Sequence, residues 1–509
     1  MVAPERDGRA IFNILKEVAS DGLGARLGTL SIPRRRSVNT PNFIGLTARG
    51  AIPHITPDNV SKRSNLGGAY IALEDFLEVT RQKTSPPILE MKAAMKAADT
   101  NALHAFTATP PHMFTVLGAR RHSAINSPVG NTSDFISIFT STGFQKLTNE
   151  AYRKSVDALR PDVVIPLADM TYAKSTTFPL TKRRTSVTAS KRQAWMVERT
   201  QDWLAEFLGT SGAPADSSKA TDSESPSVFA PLLPLSYSIQ WEYIEQLSQE
   251  FSTKLSGLAV YDIDILPDLD NHRSLVSLPR LSLCHTATPQ EILRQVQLGV
   301  DLVTVSFLNA ISDAGIALSF TFPSTSDSAD GIRPLGINMW LDEHEVALKP
   351  LVEGCTCYAC TNHHRAYLHH LLHAKEMLGW TLLQIHNYQV ISDFFTGIRE
   401  SLHVDAQKFD RDCEEFNKTY DPELPAGTGT RPRARGYNFK SRGGDKKINP
   451  PAWEKYSVET GSDPVLAGEM AGLAVSGPAV LGGSDTPLVP DADTDASELH
   501  SKGFAEISK

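Results

Sequence analysis

Three of the five cysteines in this chain fall within six residues, at Cys355, Cys357 and Cys360, directly before a histidine-rich stretch. The other two, Cys284 and Cys413, stand alone, so chance is a poor explanation for the cluster. Three thiolates that converge on one point supply three of the four ligands of a tetrahedral Zn²⁺ ion. The CxCxxC spacing therefore predicts a metal knuckle, and the fourth ligand has to come from a later residue.

The spacing alone leaves the fourth ligand open. The candidates are the histidines that follow the cysteines: His363, His364, His369, His370, His373 and His386. Apolar residues at helical intervals predict one helix over residues 362–378, ended by Gly379, and a second over residues 380–402. The first five histidines face several directions around the first helix, and His386 lies on the second. A ligand from the second helix would tie two helices together, and structural zinc contributes folding free energy directly.

An iron–sulfur cluster is the alternative metal group for the knuckle. Such a cluster needs a fourth thiolate. Neither Cys284 nor Cys413 has a spacing from the knuckle that indicates one, so zinc is the prediction.

The composition is that of a soluble globular protein with room for a large barrel and an appendage. The chain has 509 residues, of which 41% are hydrophobic, and a net charge of −8. Its N-terminus carries charges where a signal peptide would have its apolar segment, and no run approaches the roughly 18 apolar residues of a membrane span. Clustered cysteines fit a reducing compartment rather than a disulfide framework. These features predict a cytoplasmic location.

Two segments have the composition of disordered chain. Residues 209–227 are rich in Ser, Ala, Asp and Pro without apolar periodicity, which predicts an insertion into a folded domain. Residues 421–509 are first basic and then acidic, with eight acids and two lysines from residue 461 to the end. A tail of this kind is predicted to be an unstructured extension.

Between these segments, short apolar runs alternate with amphipathic stretches, as a parallel α/β fold requires. The runs that predict strands are residues 105–109, 135–139, 163–167, 255–260, 281–284, 302–305 and 317–322. Helices are predicted at residues 146–159, 187–208, 239–251 and 289–298, the last with Thr288 as N-cap and Pro289 at its first position. Six or more such units favour a (β/α)₈ barrel over a doubly wound sheet.

Three short basic clusters are candidates for a local RNA surface in this acidic chain. They stand at residues 34–36, 182–184 and 191–192. For each cluster taken singly, a solvated surface is the favoured interpretation.

The segment from Cys355 to the residues just after His386 resembles the zinc subdomain of the tRNA-guanine transglycosylase family. In that family CxCxxC is followed by twenty-five residues and a histidine. The gap between Cys360 and His386 reproduces this, and the elements RAYLHHL and HN match as well. The resemblance implies that Cys355, Cys357, Cys360 and His386 hold one structural Zn²⁺ ion per subunit, with no open coordination position.

Weaker resemblance extends over residues 10–402, through the elements ITPDNV, STGFQ, SGLAV and GVDLV. It implies a (β/α)₈ TIM-like barrel over residues 1–340. A zinc-binding helical subdomain would follow over residues 341–420, and the tail over residues 421–509.

Catalytic members of this family exchange guanine in a tRNA anticodon loop for another base, and an aspartate attacks the ribose carbon. The site of this chain departs from theirs at several positions. Thr304 occupies the position of the nucleophilic aspartate, and Thr140 occupies that of the aspartate in the family's DSGGFQ motif. Ala168 occupies the position of an aspartate that recognises the base. Ser256 and Tyr261 replace other residues of the base pocket. Asp169, next to Ala168, would restore one aspartate by a shift of one residue.

These departures resemble those of the family's non-catalytic subunits, so no catalytic residue is assigned. The resemblance implies a heterodimer with a catalytic queuine tRNA-ribosyltransferase subunit, which supplies the nucleophile. The pair would exchange guanine for queuine at the wobble position (34) of tRNAs with GUN anticodons, those for Asp, Asn, His and Tyr. It also implies tRNA phosphate contacts, for which Arg365, Lys375 and Arg399 are candidates, and peripheral association with the mitochondrial outer membrane.

Two other functions are open at this point. An active transglycosylase with a displaced nucleophile would use Asp301, three residues before Thr304, or Asp313, nine residues after it. On a strand Asp301 and Thr304 would point to opposite faces, which predicts that Asp301 faces away from the barrel interior. A stand-alone, zinc-dependent RNA-binding protein would keep the fold and act without a partner.

Overall fold

The computed structural model describes residues 9–17, 24–77, 86–90, 101–170 except 123, 126, 128 and 129, 190–209, 225–324 and 331–427. Most of the predicted insertion, residues 210–224, lies outside these ranges, as do the basic cluster at 182–184 and the tail from residue 428. The described residues belong to one compact unit that ends at Pro432.

Eight parallel strands close into a barrel at the centre of this unit. Counting the strands outside the barrel as well, the described residues form β1 (Ile11–Glu17), β2 (Arg26–Ser31), β3 (Val38–Thr40), β4 (Asn42–Leu46), β5 (Gly68–Ala72), β6 (Phe114–Gly118), β7 (Phe135–Thr140), β8 (Gly143–Thr148), β9 (Val163–Val164), β10 (Ser227–Leu232), β11 (Gly257–Val260), β12 (Arg280–Ser282), β13 (Leu302–Thr304), β14 (Ile316–Leu318) and β15 (Gly336–Asn338). The barrel follows the order β4-β5-β6-β9-β10-β11-β12-β13, and β13 closes it on β4 with Val303 opposite Phe43. The predicted (β/α)₈ barrel is confirmed.

Apolar side chains cover both faces of the barrel strands, because a parallel barrel is packed inside and covered by helices outside. Leu302 on β13 lies in the interior with Ile44 and Leu281. Val303 belongs to the layer between strands and helices. Side chains alternate along a strand, so Thr304 shares the interior side with Leu302.

Helices surround the barrel and build the segment that follows it. They are α1 (Pro57–Arg63), α2 (Pro87–Glu90), α3 (Ala102–Thr107), α4 (Asn149–Leu159), α5 (Ser190–Gly209), α6 (Tyr237–Gln246), α7 (Arg273–Val276), α8 (Pro289–Gln297), α9 (Phe307–Asp313), α10 (Tyr358–Asn362), α11 (Arg365–His373), α12 (Met377–Val404) and α13 (Ala406–Thr419). Thr288 is the N-cap of α8, with Pro289 in its first turn, as predicted. Among the helices of the described residues, none combines the length and apolar character that crossing a bilayer needs.

The strand predicted at residues 105–109 is wrong. Residues 105–107 belong to helix α3, whose N-cap Asn101 accepts a hydrogen bond from the backbone N–H of His104, and Ala108 ends the helix in a left-handed conformation. A short apolar run does not distinguish a buried strand from a buried helix by periodicity. The barrel strand of this unit is β6, which begins at Phe114.

Two other predicted runs, 135–139 and 317–322, contain strands that lie outside the barrel. β7 pairs with β8 and β14 with β15, both antiparallel. Barrel strands β4, β5, β6 and β10 were not predicted, and several contain residues that are uncommon in strands, such as Gly68 and Pro231. Gly68 has a packing reason, because a Cβ there would lie 2.4 Å from the ring of Phe114 inside the barrel.

The helix predicted over residues 362–378 is broken in two places. α10 ends at Asn362, α11 ends at His373, and Lys375 adopts a left-handed conformation with φ of 56° before α12 begins. The prediction that Gly379 ends a helix is wrong, because Gly379 lies inside α12. A Cβ at this position would come within 3.2 Å of the Leu371 side chain, so glycine allows α12 to pack closely on α11.

Helix α12 is the outer helix of the last barrel unit. It packs against α9, β4 and β14, so the described residues 314–324 and 331–376 form an excursion that leaves the barrel after α9 and returns with α12. The closest approach is at Gly397, where a Cβ would lie 1.8 Å from the backbone oxygen of Phe322. Only glycine fits there.

We expect Gly397→Ala to lower the free energy of unfolding by about 1–3 kcal/mol, as overpacking does, because a backbone carbonyl cannot move aside like a side chain. Urea unfolding followed by circular dichroism measures the effect. Gly130→Ala is the control, since a Cβ there meets no atom within 4 Å. Equal unfolding midpoints for the two variants would contradict the close contact.

The antiparallel sheet β1-β2-β3 lies at the amino ends of the barrel strands. Arg26 on β2 reaches Asp301, which directly precedes β13. Lys16 on β1 donates hydrogen bonds to the carbonyls of His403 and Val404 at the end of α12, at 2.8 and 2.9 Å. This sheet therefore ties the base of the barrel to its last helix.

Candidate metal centre and barrel mouth

Four side chains converge where the excursion meets α12. The sulfur atoms of Cys355, Cys357 and Cys360 lie 3.6, 3.6 and 3.4 Å from Nδ1 of His386, and the four ligand atoms are all within 4.8 Å of one another. In a tetrahedral site with Zn–S of about 2.3 Å and Zn–N of about 2.0 Å, sulfur and nitrogen are about 3.5 Å apart. The cluster therefore has the size that a zinc ion requires.

The local fold of the excursion brings the three cysteines together. Gly354 has a φ of 78°, which permits the tight turn in which the Cys355 N–H donates to the carbonyl of Val352. Cys357 is the N-cap of α10, and its sulfur accepts a hydrogen bond from the backbone N–H of Cys360 at 3.3 Å. One sulfur thus comes from the turn, one from the cap and one from the first turn of the helix.

His386 is oriented by a neighbouring backbone group. Its Nε2 lies 2.8 Å from the carbonyl oxygen of Leu318 on β14, and a carbonyl only accepts, so Nε2 carries the proton. The lone pair of Nδ1 is then directed at the three sulfurs. A hydrogen bond from the second ring nitrogen is how metal-binding histidines are usually held.

The three thiols do not ionise independently. Hydrogen bonds with the Cys355 and Cys357 thiols lower the pKa of Cys360 to about 3, while hydrogen bonds with Cys355 and Cys360, and burial, raise the pKa of Cys357. Three adjacent thiolates repel one another, and a bound cation removes that penalty. The donor set, its size and its charge therefore fit a divalent, thiophilic metal ion.

The other candidate histidines lie away from this cluster. His364 caps α11 by accepting from the Tyr367 N–H at 3.2 Å, and His363 stacks on the Tyr367 ring. His369 and His373 face each other with ring centroids 4.1 Å apart. Within the described part of the chain, Cys355, Cys357, Cys360 and His386 are the one set of three or more such residues arranged for a metal ion.

The carboxyl ends of the barrel strands surround a cavity of about 60 Å³. It is lined by Tyr70, Ala119, Arg120, Arg121, His122, Ile136, Ile165, Pro166, Ala168, Met170, Tyr261 and Leu283. None of these described lining residues is acidic. Burial, reinforced by the neighbouring His285, lowers the pKa of His122 to about 4, so its imidazole is neutral at physiological pH.

Thr304 ends β13 at the position that the family resemblance gives to the nucleophile. Its side chain is fully buried, and its hydroxyl donates to the carbonyl of Ser282 on β12 at 2.9 Å. A hydroxyl held in this way within the sheet has neither the charge nor the freedom of a nucleophilic carboxylate.

Asp169, the aspartate next to Ala168, is neutralised by cations from α5. Its carboxylate accepts from Arg192 at 2.7 Å, from Arg199 at 2.9 Å and from Asn131 at 2.7 Å, and its side chain is fully buried. It is therefore not available to recognise a base. Sequence reasoning missed this role of Arg199, although the seven-residue spacing from Arg192 places both on one face of a helix.

The two carboxylates considered as displaced nucleophiles are both occupied. Asp301 is fully buried below β13, where it accepts from Arg26 Nε at 3.0 Å, from Arg26 Nη2 at 2.6 Å and from the backbone N–H of Arg280 at 2.7 Å. It precedes β13, so it lies at the end of the barrel opposite the mouth. Asp313, at the end of α9, lies 2.6 Å from Nε2 of His54.

The other positions that the family comparison singles out lie on the β7–β8 hairpin, which contributes Ile136 to the cavity, and on the two ends of β11. Thr140 is at the turn between β7 and β8, where its hydroxyl donates to the carbonyl of Gly143. Ser256 precedes β11 and so lies at its amino end, whereas Tyr261 follows the strand and lines the cavity. The mouth segment after β6 is instead Ala119 to His122, which the sequence comparison did not identify.

Most of the predicted phosphate contacts have structural partners. Arg365 donates to the carbonyls of Pro350 and Leu351, and Arg399 to that of Pro41. Lys375 is exposed. In the first basic cluster, Arg35 pairs with Asp162 at 3.0 Å, and Arg36 donates to the carbonyl of Leu66.

Comparison with known proteins agrees with this architecture. The sequence model of the family described as queuine tRNA-ribosyltransferase matches residues 21–422. A queuine tRNA-ribosyltransferase accessory subunit 2 from Schizosaccharomyces pombe is 33% identical over 461 residues, which cover 89% of this chain and 94% of the relative. The protein of the same description from Drosophila mojavensis is 27% identical over 413 residues, which cover 77% and 89% of the two chains. The chain belongs to the queuine tRNA-ribosyltransferase family.

Proposed function

We propose that this chain is the non-catalytic subunit of a heterodimeric queuine tRNA-ribosyltransferase. The pair exchanges guanine for queuine at the wobble position of tRNAs with GUN anticodons. The partner supplies the nucleophilic aspartate, and this chain contributes a dimer surface and helps to position the tRNA. The observation that carries the proposal is the buried, hydrogen-bonded hydroxyl of Thr304 where catalytic members have a carboxylate.

The barrel mouth supports a loss of chemistry at more than one position. No described residue that lines the cavity is acidic, and the nearby Asp169 is bound by two arginines. Base exchange needs a nucleophile and a group that transfers a proton to the leaving base. The neutral His122 and the cations Arg120 and Arg121 do not replace a carboxylate nucleophile.

We propose that Cys355, Cys357, Cys360 and His386 bind one structural Zn²⁺ ion. Four protein ligands complete the tetrahedral shell, so the ion has no position for water or substrate. Its effect would be to join the excursion to α12. The small core around the knuckle, which includes Leu368, Leu372 and Trp380, would depend on that link.

We also propose the division of the chain that the sequence predicts, with the barrel over residues 1–340, the zinc-binding subdomain over 341–420 and the tail over 421–509. The separate apolar core around the knuckle supports the second part. At the second boundary, the backbone N–H of Asp421 still donates to the carbonyl of Arg333. A cytoplasmic location with peripheral association at the mitochondrial outer membrane is proposed on the family resemblance alone.

An activity assay tests the central proposal. We expect the purified chain to incorporate no labelled queuine into a GUN tRNA by itself, and we expect rapid incorporation once the catalytic paralogue is added. The control replaces the partner's catalytic aspartate with asparagine, which should abolish incorporation by the mixture. Turnover by this chain alone would overturn the proposal.

The stand-alone alternative has its own test. Size-exclusion chromatography of the chain with and without the catalytic paralogue should show a shift to the mass of a heterodimer. A chain that binds tRNA yet never associates with the paralogue would favour the independent RNA-binding protein.

A further inference from the structure

Helix α5 presents an exposed tryptophan at the rim of the barrel mouth. The side chain of Trp195 is 41% exposed, while other positions of the helix, such as Met196, Trp203 and Leu204, are buried. A single exposed apolar residue needs no explanation by itself. The surroundings of this one set it apart.

Two cations frame the indole ring of Trp195. Lys191 Nζ lies 5.0 Å from the ring centroid, and Arg199 Cζ lies 5.6 Å from it. The three residues are four positions apart, so they form one stripe along the helix. Arg199 is fixed by its bond to Asp169, whereas Lys191 makes no ion pair with a described residue.

The position of this stripe follows from the same ion pairs. Asp169 comes after β9, at the carboxyl end of a barrel strand, and its carboxylate holds both Arg192 and Arg199. The first three turns of α5 are therefore anchored at the mouth. In barrels of this class, substrates approach from this end.

The charge of the sequence around the stripe is positive. From Ser190 to Arg199 the helix carries Lys191, Arg192 and Arg199 against Glu198. The preceding residues 171–189 contain four basic residues and no acidic one, although they lie outside the described residues and are not part of the site. Protein interfaces are depleted of lysine at their centres, whereas aromatic rings flanked by cations are typical of surfaces that bind single-stranded nucleic acid.

We propose that the exposed face of Trp195 stacks on an unpaired base of the tRNA, while Lys191 neutralises a phosphate beside that base. This inference rests on the proposed role in tRNA positioning and names the surface that performs it. Every base has a π face, so the contact would bind without reading the sequence. Base identity would be left to the catalytic subunit.

The test uses the heterodimer of this chain with its catalytic paralogue and a fluorescein-labelled transcript of a GUN tRNA. We expect Trp195→Leu to weaken binding, measured by anisotropy, by about 5- to 100-fold, the effect of losing one base–aromatic stack. Trp195→Phe keeps an aromatic face and should restore most of the affinity. Trp241→Leu is the matched control, because Trp241 on α6 is 49% exposed and no described cation lies over its ring.

Salt dependence separates stacking from charge. Trp195→Leu should leave the slope of affinity against salt concentration unchanged, whereas Lys191→Gln should reduce it by about one phosphate contact. Size-exclusion chromatography and circular dichroism check that each variant still folds and pairs. An unchanged affinity in Trp195→Leu would overturn the inference, and so would weaker pairing with the paralogue, which would make this surface a protein interface.

The outcomes for the two proposals are distinguishable. If the wild-type heterodimer binds the transcript no more tightly than the catalytic paralogue alone, the tRNA-positioning role itself fails. If the heterodimer binds more tightly and the Trp195→Leu heterodimer matches it, only the stacking inference fails.

Discussion

Replacing His386 with alanine is expected to remove the metal and to unfold the core around the knuckle. Structural zinc sites in small domains contribute on the order of 10–16 kcal/mol of apparent binding free energy at neutral pH. Without Nδ1 of His386, three buried or half-buried thiols remain beside one another with no ligand from α12. The excursion would then lose the link to α12 that the proposed ion provides.

The measurement is zinc content by mass spectrometry together with limited proteolysis. The wild type should contain one zinc per chain and resist cleavage between residues 340 and 376. The His386→Ala variant should contain little zinc and be cut in that range. His370→Ala is the control, because His370 is exposed on α11 and lies outside the metal cluster. Stoichiometric zinc in the His386→Ala variant would show that the ligand set is wrong.

Asp301→Asn is expected to destabilise the fold by about 3–5 kcal/mol, the cost of breaking a buried ion pair by removing one partner. The guanidinium of Arg26 is 2% exposed and would remain charged without its carboxylate. Arg280 adds to the penalty. Burial and the charge of Arg26 lower the pKa of Arg280 to about 9, and the negative charge of Asp301 opposes that shift. Removing this charge would leave the Arg280 guanidinium less stabilised.

Urea unfolding of the purified chain measures this loss. Glu150→Gln is the control, because Glu150 and Lys154 form a solvent-exposed pair on α4, and solvent-exposed pairs contribute little to stability. In enzyme assays of the heterodimer, the activity with the Asp301→Asn chain should fall only in proportion to the loss of folded chain. An Asp301→Asn variant that is fully stable but inactive would instead favour a displaced nucleophile.

The metal cluster was the part of the site that the sequence predicted best. Three ligands follow from the local spacing of Cys355, Cys357 and Cys360, which one turn and one helix cap bring together. The spacing alone did not select His386 among six histidines, and the family resemblance did. The physical reason for the selection, a hydrogen bond to Leu318 on β14, involves a residue 68 positions away.

The barrel was predicted as a class, but half of its strands were not located. Short apolar runs such as the one at residues 105–109 do not separate strand from helix, because burial erases the periodicity that distinguishes them. β10 contains Pro231, which argues against a strand in the sequence, yet in the barrel it lies opposite Ala259. Such positions are decided by tertiary packing.

The mouth shows a second limit of sequence comparison. Asp169 pairs with Arg192 and Arg199, which lie 23 and 30 residues later in the chain. The sequence between them contains no motif that predicts the contact. Nothing in local composition indicates such an ion pair.

Helix α12 has a consequence for the stability of the whole barrel. The same 28 residues supply His386 to the knuckle, Gly397 to the barrel wall and the carbonyls that Lys16 binds at the base. A shift of this helix by one turn would disturb all three at once. The end of α12 that carries His386 is therefore mechanically coupled to the barrel wall and to the base, so a change that displaces the helix at the knuckle would also lower the stability of the barrel.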